Sequence, residues 1–134
     1  MPDRLAPPHI VVINDEEDVL SLFRDLLEGE GYRVSTLTYP TAEVSDLLVL
    51  APSLVVLDMM FGGEDRGWHY LQRLRLDRTA AQVPIIVCTA AVRLVRDVHD
   101  YLEQMGIGVV LKPFDIDPFL AEVRRQLGPR ADPV

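Results

Sequence analysis

The chain has 134 residues, of which 49% are hydrophobic, and its formal net charge is −8. This length suits one domain with a substantial core, and no apolar run approaches the roughly 20 residues of a membrane span. The negative charge argues against direct nucleic-acid binding by this domain. The single cysteine, Cys88, excludes an internal disulfide, so we expect a cytoplasmic protein without membrane attachment.

Short apolar runs alternate with helical stripes along the chain. Ile10-Val11-Val12-Ile13 is a β-branched run typical of a strand buried on both faces, and Val19, Phe23 and Leu27 then recur at helical spacing. Strands are predicted in this way at 10–13, 32–37, 54–57, 84–88 and 109–111. A helix is predicted after each strand, with the second opening at Pro40 and the fourth striped from Val92 to Met105.

Five strands that alternate with five helices predict a doubly wound α/β domain with a parallel sheet, because crossover connections between neighbouring strands are right-handed. We place this domain at residues 9–127. The proline-containing ends, 1–8 and 128–134, are predicted to be flexible.

Polar residues follow four of the predicted strands. Asn14 and Asp15 come after the first strand, Asp58 after the third, Thr89 after the fourth and Lys112 after the fifth. Because all strands of a parallel sheet end at the same edge, these side chains are expected to converge there. Asp58 alone could equally be a cap for the following loop, so the convergence is what indicates a site. Lys112 is also the only lysine in the chain.

The acidic turn after the first strand indicates which ligand this edge attracts. Sheets that bind a mononucleotide place glycines or hydroxyls here to cradle a phosphate, whereas this chain has Asn14-Asp15-Glu16-Glu17-Asp18. Such a turn repels a bare phosphate and attracts a hard divalent cation such as Mg²⁺. The alternative, that the acids only complement a helix N-terminus, suits Glu17 and Asp18 better than Asp15.

Four motifs, "VVINDEEDV", "LVVLDMM", "PIIVCTA" and "LKPF", occur in this order. Together they make residues 9 to 127 resemble a response regulator receiver domain of two-component signal transduction. The resemblance implies a flavodoxin-like, doubly wound five-stranded parallel sheet with strand order 2-1-3-4-5, and it suggests a cis Lys112–Pro113 bond.

The resemblance implies that Asp58 accepts a phosphoryl group beside a bound Mg²⁺ or Mn²⁺ ion. Asp15, Asp58 and the backbone carbonyl of Met60 correspond to the metal ligands. Asn14 stands where the family has a first acidic residue, so it would ligate the metal weakly or through water, and affinity would fall.

The same resemblance assigns the switch residues. Thr89 corresponds to the hydroxyl that binds the phosphoryl group, Ala90 keeps the entrance open, and Lys112 pairs with a phosphoryl oxygen. Val109 occupies a switch position that is commonly aromatic in the family. The loop after Asp58 also departs from the family, with Gly62 where proline is frequent and Gly67 one residue late.

The function implied is a phosphorylation-dependent switch rather than an enzyme, which catalyses at most its own phosphorylation and dephosphorylation. Its partners would be a histidine kinase or histidine-containing phosphotransfer protein and an unidentified downstream protein or output domain. A homodimer could form through the fourth helix, fifth strand and fifth helix.

Two alternatives remain open, a phosphorylation-independent interaction module and a nucleotide- or flavin-binding enzyme, of which the acidic turn disfavours the second. Cys88 is expected in the core, and His9, His69 and His99 are too scattered to predict a metal cluster.

Overall fold

The structure, a computed structural model, describes residues 6–128. Within this range one sheet contains five strands, all paired in parallel, in the order β2-β1-β3-β4-β5. The strands are β1 (His9–Ile13), β2 (Arg33–Leu37), β3 (Leu54–Leu57), β4 (Ile85–Thr89) and β5 (Gly108–Leu111). The predicted architecture and strand order are confirmed, and β2 lies at one edge of the sheet.

Six α-helices cover the two faces of the sheet in the described part of the chain. They are α1 (Glu17–Gly29), α2 (Val44–Leu48), α3 (Arg66–Leu76), α4 (Val92–Asp97), α5 (His99–Gln104) and α6 (Ile116–Leu127). The helix predicted across 92–105 is therefore two short helices, which meet at Val98, where φ is −111° and ψ is 15°. This break accounts for six helices where the sequence predicted five.

Alternate residues of β1 face two separate cores, as expected for a strand covered on both sides. Val11 and Ile13 belong to the core beneath α2, α3, α4 and α5. Ile10 and Val12 belong to the core beneath α1 and α6, where Phe23 contacts Phe119 with ring centroids 4.8 Å apart. The two cores fix the sheet between helical layers and leave its carboxyl edge for a site.

The second helix begins later than predicted, at Val44 instead of Pro40. Residues 40–43 form a loop that α3 holds in place: Thr41 Oγ1 lies 2.7 Å from Tyr70 Oη, and Arg73 donates to the carbonyl oxygens of Thr41 and Ala42. These contacts cross about 30 positions of sequence, so no local pattern could show them.

One further local prediction is confirmed. The Lys112–Pro113 peptide bond is cis, as the resemblance suggested. No helix in residues 6–128 has the length and apolar character needed to cross a membrane. The segments predicted to be flexible, 1–8 and 128–134, lie mostly outside the described residues, although the carbonyl of Pro8 accepts a hydrogen bond from Arg33 N.

Gly67 allows α3 to start directly against the end of β3. A Cβ atom at this position would lie 1.9 Å from the carbonyl oxygen of Asp58 and 2.7 Å from Met59 Cα. The amide of Gly67 donates to the Met59 carbonyl at 3.0 Å, which ties the helix to the residue after Asp58. Because Gly67 has no side chain, α3 can pack directly against the backbone of Asp58 and Met59 and help to position it.

Gly67→Ala should destabilise the protein by about 2 kcal/mol or more, because backbone atoms cannot move away from the new methyl group as a side chain would. The matched control is Gly29→Ala at the end of α1, where a Cβ would meet nothing within 4 Å. That variant should be about 0.5 kcal/mol more stable through its higher helix propensity. Urea unfolding of both variants checks this, and equal stabilities would contradict the close approach.

Candidate functional site

The carboxyl edge of the sheet forms a pocket of about 410 Å³. Asp58 follows β3, Thr89 ends β4 and Lys112 follows β5, and all three line this pocket together with Asp15 and Met60. Asn14 follows β1 and is only 1% exposed, and its side chain contacts Asp58 from beneath the pocket. The convergence predicted from the strand ends is therefore present in the structure.

The carboxylate of Asp58 is almost buried and accepts four hydrogen bonds. Its Oδ1 accepts from Thr89 Oγ1 at 2.7 Å and from the amide of Met60 at 3.1 Å. Its Oδ2 accepts from Lys112 Nζ at 3.1 Å and from Asn14 Nδ2 at 3.2 Å. A carboxylate offers about four lone-pair positions, so these donors occupy the whole accepting capacity of Asp58.

Only one of those four donors carries a formal charge. The side chain of Lys112 is 16% exposed and that of Asp58 is 9% exposed, so their ion pair lies largely out of water. Charges removed from water need further hydrogen bonds to offset their desolvation, and the neutral donors Thr89, Asn14 and Met60 N provide them.

Asn14 is held in one orientation by bonds to both ends of its amide. Nδ2 donates to Asp58, while Oδ1 accepts from the amide of Glu16 at 2.9 Å. In this orientation the group offered to Asp58 is a hydrogen-bond donor, and the oxygen that could face a cation is already engaged with the backbone. The sequence indicated a missing charge at this position but not this added donor.

A two-residue hairpin follows Asp58 and was not predicted. Phe61 and Glu64 exchange both backbone hydrogen bonds, and Gly62 and Gly63 between them have φ values of 59° and 78°. Two positive φ values are what a type I′ turn requires, and the Gly-Gly pair was the signal in the sequence. The amide of Gly62 donates to Asp15 Oδ2 at 3.0 Å, so the hairpin positions the second acid of the site.

Thr89 connects Asp58 to the start of α4. Its hydroxyl donates to Asp58 and accepts from the amide of Ala91 at 3.2 Å, one residue before α4 begins. The backbone carbonyl of Thr89 accepts from Lys112 N at 2.9 Å, which fixes the lysine relative to the same strand end. A change at Asp58 can therefore reach α4 through two hydrogen bonds.

The remaining predicted switch positions differ in their relation to the pocket. Ala90 is exposed and lines it, as an open entrance requires. Val109 lies in β5, pairs with Val87 and packs against the core, and it is not among the residues that line the pocket. A switching role for Val109 stays a prediction.

The oxygen groups of the pocket suit Mg²⁺. Asp15 and Asp58 are carboxylates, and Met60, which lies between Asp58 and the hairpin, also lines the pocket. In residues 6–128 no group of three or more His, Cys, Asp or Glu side chains is arranged to hold a metal. Mg²⁺ usually binds only one or two protein carboxylates and keeps several water ligands. This small set of oxygen ligands therefore suits Mg²⁺ better than a metal ion that takes all of its ligands from protein side chains.

Cys88 and the histidines play no part in this arrangement. Cys88 is buried in β4, and burial raises the pKa of its thiol to about 12, which keeps it protonated and unreactive. The ring of His9 lies between Leu50 O and Ser35 Oγ at 2.7 Å from each, whereas His69 and His99 are exposed on α3 and α5.

Comparison of the chain with characterised sequences identifies relatives along almost its whole length. It is 36% identical over 123 residues to the uncharacterized transcriptional regulatory protein YkoG of Bacillus subtilis, which covers 89% of this chain and 50% of that protein. It is 34% identical to the phosphate regulon transcriptional regulatory protein PhoB of Rhizobium meliloti, covering 90% and 52%. The chain thus spans about half the length of the curated relatives it matches.

Solved structures share the fold at lower sequence identity. The chemotaxis protein CheY4 of Vibrio cholerae superposes with a TM-score of 0.77 at 17% identity, covering 91% of this chain and all of that one. The response regulator protein TrrA of Thermotoga maritima, solved in complex with Mg²⁺ and BeF, superposes with a TM-score of 0.75 at 23% identity, covering 90% and 99%.

The model of the response regulator receiver domain matches residues 10–124, a range that contains every residue of the pocket. Sequence, fold and site geometry agree, and the chain belongs to the response regulator receiver domain family.

Proposed function

We propose that this chain is a phosphorylation switch in which Asp58 accepts a phosphoryl group from a histidine kinase or a histidine-containing phosphotransfer protein. The observation that carries the proposal is the Asp58 carboxylate at the rim of the pocket, with Thr89 and Lys112 both in contact with it. The chain is a switch rather than an enzyme with a separate substrate, and it catalyses at most its own phosphorylation and dephosphorylation.

The proposed transfer forms one bond and breaks another. A carboxylate oxygen of Asp58 attacks phosphorus, a P–O bond forms, and the P–N bond to the donor imidazole breaks, with the electron pair returning to nitrogen. Because all accepting positions of Asp58 are occupied in this structure, at least one donor must release it first. Lys112 and Thr89 can then bind the phosphoryl oxygens, where negative charge accumulates.

Mg²⁺ (or Mn²⁺) is the proposed cofactor, held by Asp15, Asp58 and the Met60 carbonyl, with Asn14 at most a water-mediated ligand. When bound, the ion neutralises charge between the carboxylates and the incoming phosphoryl oxygens. Asp15 is prepared for this role by the Gly62 amide, which fixes Oδ2 and so limits the rotation of its carboxylate.

The proposed output passes from Thr89 to α4. If the hydroxyl of Thr89 moves to a phosphoryl oxygen, its bond with Ala91 N must adjust, and α4 begins at the next residue. On this side of the domain Val92, Leu111 and Met105 are 40–44% exposed. This surface could take a downstream protein, a linked output domain or a second copy through α4, α5, β5 and α6.

A second candidate function is a receiver-like module that binds partners without phosphorylation. The observation that favours it is the Asn14 donor, which replaces an acid and completes the hydrogen bonding of Asp58 without a metal. The two candidates differ in one measurable property, which is covalent phosphorylation.

Incubation with acetyl phosphate and Mg²⁺ should add the mass of one phosphoryl group, because Asp58 is the carboxylate paired with Lys112 at the pocket. Intact-mass spectrometry measures the gain, which should disappear in Asp58→Asn and when the cation is chelated. Asp65→Asn, which changes an exposed aspartate before α3, is the matched control and should still be labelled. Labelling that persists in Asp58→Asn, or its absence from the unaltered protein, would overturn the assignment.

Lys112→Arg should slow phosphorylation by about tenfold although the charge is conserved. The lysine side chain reaches Asp58 through a buried path, and the planar guanidinium is bulkier and spreads its charge over a fork. Lys112→Gln, which removes the charge as well as changing the shape, provides the lower limit of the rate. The rate of the mass gain measures both, and a rate in Lys112→Arg equal to that of the native lysine would show that shape is unimportant here.

Asn14→Asp should destabilise the metal-free protein by about 2 kcal/mol or more at pH 7. It replaces a donor 3.2 Å from Asp58 with a second carboxylate in a buried setting, where like charges repel strongly. The same change should tighten Mg²⁺ binding by roughly 1–2 kcal/mol, since the cation relieves that repulsion.

Unfolding midpoints with and without Mg²⁺, together with calorimetric titration, check both halves of this prediction. Asn14→Ala is the control, because it removes the donor without adding charge and should not gain Mg²⁺ affinity. Equal or weaker Mg²⁺ binding in Asn14→Asp would mean that residue 14 does not face the cation.

A further inference from the structure

A second pocket, of about 340 Å³, lies between α3 and the loop after β2, and we name it the α3 pocket. Its wall includes Arg66, His69 and Arg73 from one face of α3, with Tyr39 and Pro40 from the loop. None of the described residues that line it is a carboxylate, although the chain as a whole has a net charge of −8. It shares no residue with the pocket at Asp58.

Arg73 is fixed in place before any ligand arrives. Its guanidinium donates to Ala42 O at 3.0 Å and to Thr41 O at 3.2 Å, and it lies 5.2 Å from the centre of the Tyr70 ring. A guanidinium has five N–H donors, so donors remain for a ligand after these two bonds. A cation held this way loses little conformational freedom when it binds an anion.

Arg66 and His69 are exposed and only weakly engaged. Arg66 lies 3.3 Å from Glu64, and His69 lies 3.4 Å from Asp65, with both pairs largely in water. Exposed ion pairs of this kind contribute little to stability. Carboxylates from another molecule can therefore replace Glu64 and Asp65 as the partners of these two side chains. Tyr39 beside them is 57% exposed and offers an aromatic surface.

The spacing of the cations indicates the kind of anion that fits. Arg66 and Arg73 are seven positions apart on α3, a rise of about 10 Å, with His69 between them. Side chains anchored this far apart can each bind a separate carboxylate, as the successive acidic side chains of a peptide provide, whereas one small anion would require them to converge. A nucleic acid would require a longer basic surface than one face of α3 provides.

We propose that the α3 pocket docks an acidic segment of a protein partner, whose carboxylates pair with Arg66, His69 and Arg73 and whose backbone lies against Tyr39. This surface is separate from the α4–β5–α6 side considered for output, and binding to it does not depend on phosphorylation of Asp58. Failure of the phosphorylation experiments would leave this proposal standing.

The test uses fluorescence anisotropy with a fluorescein-labelled glutamate hexamer at an ionic strength of about 20 mM, where surface electrostatics are weakly screened. The unaltered protein should bind the peptide, and binding should weaken as salt is added. Arg66→Gln combined with His69→Gln should raise the dissociation constant about fivefold or more, since one guanidinium and one imidazole that line the pocket are lost. Arg73 is left unchanged because it also holds the loop at residues 41–42.

The matched control is Arg96→Gln combined with His99→Gln, which makes the same chemical change at the same spacing on α4 and α5. The shallow pocket there also contains the carboxylate of Asp100 and should bind the peptide poorly, so this variant should keep the original affinity within about twofold. All four side chains are exposed, and both double variants should unfold at the same midpoint.

Four results would overturn the proposal. The first is the absence of peptide binding by the unaltered protein up to about 1 mM, the weak end of specific binding. The second is an equal loss of affinity in the control variant. The third is binding of a single-stranded oligonucleotide of the same charge as tightly as the peptide, which would indicate a polyanion site. Competition by inorganic phosphate at the peptide's own concentration would likewise contradict the spacing argument.

Discussion

The ion pair between Asp58 and Lys112 is the interaction on which the rest of the site depends. A carboxylate with 9% exposure can stay charged in the protein only if its neighbours replace the water it has lost. Lys112 supplies the opposite charge, and Thr89, Asn14 and Met60 N supply the other hydrogen bonds. A carboxylate whose accepting positions are all occupied is a poor nucleophile, so the reaction proposed at Asp58 requires one of these contacts to be exchangeable.

The parallel sheet is what brings these donors to one point. Residues 14, 58, 89 and 112 are distant in sequence, yet each stands at the carboxyl end of a strand and the strands are neighbours in the sheet. The helices pack on both faces and hold the strands in this arrangement. Two of the connections at this edge, the hairpin at Phe61–Glu64 and the residues before α4, are hydrogen-bonded directly to the site.

Much of the fold could be predicted because its signals are local. β-branched runs marked the strands to within one or two residues, and their alternation with helices determined the sheet. The break at Val98 was missed because no glycine or proline marks it. The late start of α2 was missed because Arg73 and Tyr70, far along the chain, hold the preceding loop. The convergence of Asp58, Thr89 and Lys112 was predictable from topology, whereas the orientation of the Asn14 amide depends on Glu16 N and Asp58 together.

The hairpin after Asp58 has contacts with residues of both pockets. Gly62 lines the pocket at Asp58 and donates to Asp15, while the buried ring of Phe61 lies 6.0 Å from the ring of Tyr39, which lines the α3 pocket. Positive φ values at Gly62 and Gly63 keep the turn tight, and residues with side chains adopt them rarely. One four-residue segment therefore contacts a metal-ligand candidate on one side and an aromatic docking residue on the other. Because Phe61 is fully buried in the core beneath α2, α3, α4 and α5, packing anchors the hairpin on that side, and the tight glycine turn is what lets the other side of the hairpin reach Asp15.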